Sequence, residues 1–166
     1  VEIESLDDKE AVLLILDKQK CAREPELLVT LYQGIPKASK MEEIIQRCVE
    51  LGVNSIVPVF MERTVVVDKG NFGKKLDRWQ KIAEVAAKQS KRDCILKVNN
   101  AINFKNIFEK IEDYDIVLVA YENEAKNTLK SILNTLEKRK NIKIAVIIGP
   151  EGGIDESEIE MCNTNS

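Results

Sequence analysis

The sequence predicts an α/β domain with a mostly parallel sheet and helices on both faces of that sheet. Two observations lead to this prediction. Strand-like and helix-like segments alternate from Glu26 onward, and such alternation is typical of parallel sheets built from β–α units. Residues 142–148 form a continuous apolar run rich in isoleucine, which is typical of a strand buried on both faces.

The beginning of the chain predicts a different kind of structure. Residues 1–3 and 11–16 have the pattern of two short strands, and a polar stretch follows them. A hairpin alone is marginally stable in water. We therefore assign residues 1–25 to the end of a β module with a linker, and residues 26–166 to the α/β domain.

Strands and helices then follow one another along the α/β domain. The predicted strands cover residues 27–32, 55–60, 64–67, a weak segment within 97–113, 116–120 and 142–148. The predicted helices cover residues 41–51, 74–89, a short segment within 97–113, 125–138, and a last helix after Asp155. Asp155 and Glu158 have the spacing of a capping box, and Gly52 is a helix-stop residue.

The composition indicates a globular protein whose chemistry does not use histidine. The chain is 44% hydrophobic and 32% charged, and no apolar run approaches the roughly 20 residues of a membrane span. The four cysteines have no CxxC spacing, and histidine is absent. We therefore expect a cytoplasmic protein with reduced thiols, no membrane partner and no metal. Catalysis would have to use carboxylates, lysine, arginine, hydroxyls, the backbone or a reactive cofactor.

The charge is unevenly distributed along the chain. The net charge is −3, yet residues 63–92 contain nine basic and three acidic residues, a local net charge of +6. A basic segment on an acidic chain is what contact with a polyanion such as RNA requires. A solvated helix face would give the same pattern.

The strongest candidate site is the loop after the last predicted strand, formed by Gly149, Pro150, Glu151, Gly152 and Gly153. In open α/β sheets, ligands bind at the carboxyl ends of strands, and glycine lets the backbone approach a ligand closely. The spacing fits neither a P-loop nor a dinucleotide-binding fingerprint. We predict a ligand-binding loop, the alternative being a tight strand-to-helix turn.

Basic residues near predicted strand ends are the next candidates. The loop of residues 33–40 follows the predicted strand 27–32. Its Lys37 and Lys40 precede a predicted helix, where backbone N–H groups favour anions, or they belong to a solvated loop. Arg63 follows the second strand and either contacts phosphate or pairs with Glu62.

Two further clusters follow later elements. The stretch Gln-Ser-Lys-Arg at residues 89–92 has no packing role that the sequence reveals, whereas Trp79 is better interpreted as a core residue than as a base-stacking platform. An acidic loop at residues 121–124 follows another strand. We expect all these clusters to contribute to one composite pocket.

Taken together, these segments closely resemble the RsmE family of ribosomal RNA methyltransferases. The resemblance runs from about Glu26 to the end of the sequence. Its motifs are Leu31-Tyr32-Gln33-Gly34-Ile35-Pro36-Lys37, Met41-Glu42-Glu43-Ile44-Ile45-Gln46, Glu50-Leu51-Gly52-Val53, Glu62-Arg63, Arg78-Trp79, Ile82-Ala83-Glu84, Ala86-Ala87, Gln89-Ser90 with Arg92, and Ile148-Gly149-Pro150-Glu151-Gly152-Gly153.

The resemblance implies a fold and an activity. It implies a SPOUT-type α/β domain with a trefoil knot, preceded by a PUA-like β-barrel of which residues 1–25 would be the remnant. It implies a homodimer that uses S-adenosylmethionine to methylate N3 of a uridine in 16S rRNA of the small ribosomal subunit. Relatives continue with a Leu-Gly-x-Arg-Ile-Leu-Arg-like segment that completes the knot and the cofactor pocket, so we expect the chain as given to be inactive. Leu96 stands near a position where the family usually has proline.

The resemblance also implies roles for the candidate residues. The cofactor-binding residues would be Gly149, Pro150, Glu151, Gly152, Gly153, Ala120, Tyr121 and Glu122. The RNA-binding residues would be Lys37, Lys40, Arg63, Arg78, Lys91 and Arg92. The catalytic residues would be Arg92, Arg63 and Glu151. Arg92 or Arg63 would stabilise charge that develops on the uracil oxygens, and Glu151 is the carboxylate of the predicted cofactor loop, where it could equally bond the adenosyl group or a backbone amide.

Two other functions stay open at this point. One is a non-enzymatic RNA- or ribosome-binding α/β module with an incomplete cofactor pocket. The other is a domain that binds a nucleotide or phosphate ligand, against which the absence of a Walker or dinucleotide motif counts.

Overall fold

The computed structural model describes residues 1–18, 24–67, 70, 72–122, 128–134 and 141–165. At the start of the chain, β1 (Glu2–Leu6) and β2 (Ala11–Leu14) form an antiparallel hairpin, as predicted. The carboxylate of Asp7 closes its turn by accepting hydrogen bonds from two backbone N–H groups. All of residues 1–18 are exposed, so this hairpin buries no apolar side chain within the described residues.

The main sheet is parallel at every strand pair. Its central strand, β3 (Leu28–Gly34), lies between β4 (Ser55–Phe60) and β8 (Lys143–Ile148). The edge strand β7 (Ile116–Ala120) lies beside β8. Two short strands, β5 (Lys97–Val98) and β6 (Ile102–Asn103), both pair with β4.

Helices cover both faces of this sheet. On one face, α1 (Lys40–Glu50) and α2 (Phe72–Gln89) bury a core that includes Ile45 and Trp79. On the other face, a 3₁₀ helix (Phe104–Asp113) and α4 (Glu156–Thr164) pack over Tyr32, Val59 and Ile147. A short helix, α3 (Leu129–Leu133), lies between β7 and β8 in the chain. The predicted α/β architecture is therefore confirmed, and Trp79 is a core residue at 6% exposure.

Three predicted elements differ from the structure. Residues 64–67 do not form a strand, because Thr64 closes a turn in which its hydroxyl and its backbone N–H bond the main chain of Met61. The weak helix within residues 97–113 is a 3₁₀ helix. The helix predicted over residues 125–138 is present at Leu129–Leu133, and its flanking residues 125–127 and 135–138 lie outside the described residues.

No helix among the described residues is long and apolar enough to cross a membrane. The longest of them, α2, ends near an ion pair that closes the amino end of the sheet. Arg92 pairs with Glu24, and its guanidinium also donates to the carbonyls of Val49 and Val53. The Arg92 side chain is 8% exposed and that of Glu24 is 15% exposed. This pair connects the end of α2 to the segment that enters the α/β domain.

Removing either partner of this pair should destabilise the domain. Arg92→Met would leave the partly buried Glu24 carboxylate without its cation, so the loss should lie between the roughly 1 kcal/mol of an exposed pair and the roughly 3–5 kcal/mol of a fully buried one. Urea denaturation monitored by Trp79 fluorescence measures the free energy of unfolding. Glu24→Gln removes the other partner of the pair and should also lower the urea midpoint. Its matched control is Glu43→Gln, because Glu43 makes a comparable contact with Lys40 on the exposed surface. This control should leave the urea midpoint nearly unchanged.

The pair of Arg92 and Glu24 also predicts how the stability of the domain depends on pH. The hydrogen bond from Arg92 is the main cause that lowers the pKa of Glu24, and the backbone N–H groups of Asp93 and Cys94 assist it. The stabilisation is therefore fully present above the pKa of glutamate in the unfolded chain, about 4.3, and is lost as the pH falls through the lower folded value. The difference in stability between the wild type and Glu24→Gln should narrow below about pH 4. A constant difference from pH 7 to pH 3 would contradict this assignment.

Candidate functional site

Three loops meet at the carboxyl edge of the main sheet. They follow β3, β4 and β8, whose carboxyl ends are adjacent because the strands are parallel and in register. A Cβ atom added at Gly34 would lie 2.5 Å from the nitrogen of Pro150 and 2.7 Å from the sulfur of Met61. Gly34 is thus the point at which the three loops touch.

Two side chains attach the β3 loop to the glycine loop of residues 149–153. The Gln33 amide nitrogen donates to the carbonyls of Gly34 and Gly149, at 3.0 and 3.2 Å. The Glu151 carboxylate accepts a 2.9 Å hydrogen bond from the backbone N–H of Lys37. Backbone N–H groups, first that of Glu151 itself and then that of Lys37, lower the pKa of Glu151. The contact with Lys37 is therefore formed by an ionised carboxylate at neutral pH.

Arg63 attaches the β4 loop to the same residues. Its Nη1 donates to the carbonyl of Gly152 at 2.9 Å, and its Nε and Nη2 donate to Oδ2 of Asp155 at 3.3 and 3.2 Å. The pKa of Asp155 is lowered mainly by the hydroxyl and backbone N–H of Ser157, with Arg63 contributing less. Arg63 therefore pairs with Asp155, so the alternative pairing with Glu62 is wrong.

A buried carboxylate completes the junction of the three loops. Glu158 is 3% exposed, and its Oε2 accepts from the N–H of Asp155 as the predicted capping box requires. Its Oε1 accepts a 3.0 Å hydrogen bond from the N–H of Glu62. One side chain therefore caps α4 and holds the β4 loop against it.

The conformation of the loop itself requires glycine at positions 149 and 153. A Cβ at Gly149 would lie 2.8 Å from the carbonyl carbon of Gly153, and Gly153 has a φ of +76°. The N–H of Gly153 donates to the carbonyl of Pro150 and closes a tight turn. A turn is therefore present, as the alternative interpretation proposed, and the ligand-binding role of the loop stays a prediction.

A cleft of about 460 Å³ opens beside this turn. Its walls are Gly149, Pro150 and Glu151, strand residues that include Gln33, and the side of α1 around Ile44. Clefts of this size with apolar walls and few polar groups are typical of sites for small ligands. Gln33, which is buried at 4% exposure, lines this cleft, and both hydrogens of its amide are used by the carbonyls of Gly34 and Gly149.

Other predicted cofactor residues lie next to this loop. Ala120 ends β7 and pairs in register with Ile148, which immediately precedes Gly149. Tyr121 and Glu122 follow Ala120 at the same edge of the sheet. The remainder of that predicted acidic loop, residues 123–124, lies outside the described residues.

The predicted RNA-binding residues lie in three separate parts of the structure. Lys37, Lys40 and Arg63 lie at the loop junction, where the Lys40 side chain also bonds Glu43. Arg78 bridges α2 to Glu42 of α1 on the exposed surface. The structure does not bring Lys91 and Arg92 to this site, because the end of α2 lies at the amino end of the sheet.

Two of the described cysteines are shielded from solvent. Burial raises the pKa values of Cys48 and Cys162 to about 11, so both thiols are protonated at neutral pH and are poor nucleophiles. No group of three or more acidic or cysteine side chains in the described part of the chain is arranged to hold a metal ion.

Comparison with known proteins identifies the family. The family model described as RNA methyltransferase domain matches residues 23–166. The chain belongs to this family. The protein named ribosomal RNA small subunit methyltransferase E of Bacillus subtilis is 34% identical over 164 residues, which are 96% of this chain and 63% of that protein. The resemblance inferred from the motifs is therefore confirmed.

Solved structures agree with this membership of the RNA methyltransferase family. A ribosomal RNA small subunit methyltransferase E from Neisseria gonorrhoeae, bound to S-adenosyl methionine, is 29% identical with a TM-score of 0.70, over 84% of this chain and 54% of that one. A putative methyltransferase from Legionella pneumophila, with the bound cofactor SAM, is 28% identical with a TM-score of 0.77, over 87% and 57%. These neighbours confirm the SPOUT-type fold class. The chain spans less than two thirds of each of these proteins.

The sequence placed Gln33 and Gly34 in a candidate strand-end loop without predicting their contacts, and it did not predict that Glu158 belongs to this site. Glu158 was predicted as a helix cap, but its bond to Glu62 joins residues 96 positions apart. Gln33 and Gly34 follow a strand and precede Pro36, a signal that indicates a loop without indicating its contacts. These residues act through long-range packing that local spacing cannot show.

The close contact at Gly34 predicts a large difference between two glycine substitutions. Gly34→Ala would force a Cβ into the backbone of Pro150, and overpacking of this kind destabilises by roughly 1–3 kcal/mol. Gly73→Ala is the matched control, because Gly73 lies in α2 with no atom within 4 Å of the added carbon. The control should be neutral or more stable by roughly 0.5–1 kcal/mol. Equal urea midpoints for the two variants would show that the three loops do not meet in solution.

Proposed function

We propose that the complete protein transfers a methyl group from S-adenosylmethionine to N3 of a uridine in 16S rRNA. The observation that carries this proposal is the junction of three strand-end loops on the Gly149–Gly153 turn, in a chain that belongs to the RNA methyltransferase family. Relatives named ribosomal RNA small subunit methyltransferase E and two neighbours with the bound cofactor support the substrate and the cofactor. The uridine and its N3 position are carried over from the family resemblance.

The cofactor would lie against the glycine loop. We propose Gly149, Pro150, Glu151, Gly152 and Gly153 as its binding residues, with Ala120, Tyr121 and Glu122 beside them. The chemistry of the cleft fits, since its apolar walls suit the carbon-rich parts of S-adenosylmethionine and its polar edge offers main-chain groups. The cofactor would supply a methyl group activated on sulfur.

The residues of the chain would contribute alignment more than acid–base chemistry. Methyl transfer requires the nucleophile to approach in line with the methyl group, and holding the reactants accounts for much of such a rate enhancement. Arg63 would hold the loop through Gly152, and Glu151 would hold the β3 loop through Lys37. Arg63 is 43% exposed, so it is also the arginine that we propose for stabilising charge on the uracil.

Arg92 has a different role in this proposal. Its guanidinium is occupied by Glu24 and two carbonyls at the far end of the sheet, so a structural role accounts for it better than the predicted catalytic one. For RNA contact we retain Lys37, Lys40 and Arg63 at the junction, with Arg78 and Lys91 as outlying positive charges. The partner would be the small ribosomal subunit, in the cytoplasm.

Two further predictions concern the rest of the protein. We propose that residues 1–25 belong to a PUA-like β domain, because eight large apolar side chains of the hairpin region are exposed and would need a partner. We also propose a homodimer and a knotted methyltransferase domain, both from the family resemblance. The non-enzymatic RNA-binding module is not favoured, since the relatives are methyltransferases by name.

The proposed reaction is tested with the full-length protein and radiolabelled S-adenosylmethionine. Small ribosomal subunits and free 16S rRNA, both lacking the modification, serve as substrates. We expect label at one uridine, located by nuclease mapping and mass spectrometry. RNA binding without methyl transfer would support the non-enzymatic module and overturn the proposed reaction.

The cofactor loop is tested at Gly152. A Cβ at Gly152 already lies 3.2 Å from the Cβ of Arg63, so Gly152→Val should displace the turn and abolish cofactor binding while the domain stays folded. Calorimetry of the full-length protein with S-adenosylmethionine measures the affinity. Gly73→Val, in open space on α2, should bind as the wild type does. Unchanged affinity in Gly152→Val would refute the role of the loop.

The two roles of Arg63 are separated by a conservative substitution. Arg63→Lys keeps the charge but cannot donate to Gly152 and Asp155 together, so cofactor affinity should fall about as far as in Arg63→Ala. RNA binding should keep its salt dependence in Arg63→Lys, and Arg63→Glu should flatten the slope by about one phosphate contact. Full cofactor affinity in Arg63→Lys would mean that charge, and not the bridging geometry, is what the loop requires.

A further inference from the structure

A second cavity lies on the opposite face of the sheet from the glycine-loop cleft. Its volume is about 470 Å³, and its floor is formed by β3 and β4 through Thr30, Tyr32, Ser55 and Val57. Leu31 and Gln33, which border the glycine-loop cleft, alternate with Thr30 and Tyr32 along β3 and therefore face the other way. The 3₁₀ helix and Tyr114 form the roof of this cavity.

The floor of this cavity is unusually polar for its place in the fold. β3 has a neighbouring strand on each side, and the central strands of a parallel sheet are normally apolar on both faces. Here three of the four floor residues carry hydroxyls. A polar group in such a position lowers stability unless it is hydrogen-bonded, so the hydroxyls need partners.

The hydroxyls satisfy one another only in part. Thr30 and Ser55 are joined at 3.0 Å, and Tyr32 and Tyr114 are joined at 3.0 Å. Each pair shares a single hydrogen bond, so one O–H donor and several acceptor positions remain in each pair. Asn99 adds a further acceptor at the wall, because its amide nitrogen is used by the carbonyl of Ile56 and leaves its oxygen.

We propose that this cavity binds a neutral, polyhydroxylated small molecule of the size of a pentose or a nucleoside. A hydroxyl of the ligand would meet hydroxyls and amides, and both of these groups can donate as well as accept hydrogen bonds. A ligand hydroxyl is likewise both a donor and an acceptor, so each ligand hydroxyl can use the donor or the acceptor that the protein leaves open. The volume lies within the range of natural small-molecule sites.

The charges around the cavity favour a neutral ligand over an anion. The rim carries Glu109 and Lys110, and the Glu109 carboxylate accepts a hydrogen bond from the amide of Asn106. Burial first, then the contact with Tyr114 and the charge of Asp113, raise the pKa of Tyr32 above its usual value. The floor hydroxyls are therefore neutral at physiological pH, and a phosphate or carboxylate would meet one lysine against two nearby carboxylates.

The three tyrosines of the chain make a direct test possible. Tyr32 and Tyr114 line this cavity, whereas Tyr121 lies at the end of β7 beside the glycine loop. In the full-length protein labelled only at tyrosine rings, NMR should show three signals from this region, assigned by tyrosine-to-phenylalanine variants. Titration with D-ribose, uridine, uracil and inorganic phosphate then reports which site each probe reaches.

We expect saturable shifts of the Tyr32 and Tyr114 signals. Shifts with both ribose and uridine would identify a free sugar as sufficient, and shifts with uridine alone would identify a nucleoside. Uracil and phosphate should leave both signals in place. Absence of a saturable shift with ribose and uridine, or a shift with phosphate, would overturn the proposal, as would a probe that moves Tyr121 alone.

Variants connect the shifts to the hydroxyls. Tyr114→Phe keeps the ring and removes one hydroxyl, so the affinity should fall about five- to tenfold, the equivalent of one hydrogen bond. Ser55→Ala, on the other hydroxyl pair, should have a similar effect and serves if Tyr114→Phe perturbs the fold. Gly73→Ala, in open space on α2, is the control and should bind as the wild type does. Wild-type affinity in both hydroxyl variants would overturn the proposal, and none of these outcomes depends on methyl transfer.

Discussion

The contact between Gly34 and Pro150 is the constraint on which the candidate active site depends. The loop after β3 and the loop after β8 approach so closely that a Cβ atom at Gly34 would lie 2.5 Å from the nitrogen of Pro150. This approach brings Gln33 within reach of Gly149 and the backbone of Lys37 within reach of Glu151. The turn is thus held from the β3 side by the amide of Gln33 and by the bond between the Glu151 carboxylate and the main chain of Lys37.

Carboxylates that accept backbone N–H groups hold the other segments of the domain. Glu151 holds the β3 loop, Glu158 holds the β4 loop against α4, and Glu24 holds the start of the domain against the end of α2. For Glu151 and Glu24, whose pKa values these bonds lower, the acceptor is ionised at neutral pH, and such bonds are stronger than those between neutral groups. In a chain without histidine, these two carboxylates therefore keep their charge in the pH range where histidine would titrate.

The fold was predictable from the sequence because its signals are local. The apolar run of residues 142–148, the alternation of elements and the spacing of Asp155 and Glu158 each indicate an element without knowledge of its neighbours. The turn at Thr64 was mistaken for a strand, because the three valines that follow favour strands while the hydroxyl of Thr64 bonds Met61. The glycine loop was also predictable, since parallel strands bring their carboxyl-end loops together. The contacts of Gln33 with Gly149 and of Glu158 with Glu62 were not predictable, because they join residues 116 and 96 positions apart.

Arg63 and Arg92 show why residue type alone did not decide function. Both lie in the basic segment, and both were predicted as catalytic and RNA-binding residues. The side chain of Arg92 is 8% exposed and its donors are used by Glu24, Val49 and Val53, whereas that of Arg63 is 43% exposed at the loop junction. A guanidinium whose donors are directed to acceptors within the protein has little left for a nucleic acid, and withdrawing it would leave the partly buried Glu24 carboxylate without its cation. The basic residues of the segment 63–92 therefore have different roles. Arg63 is both exposed and close to the glycine loop, as contact with a bound substrate would require, whereas Arg92 is neither.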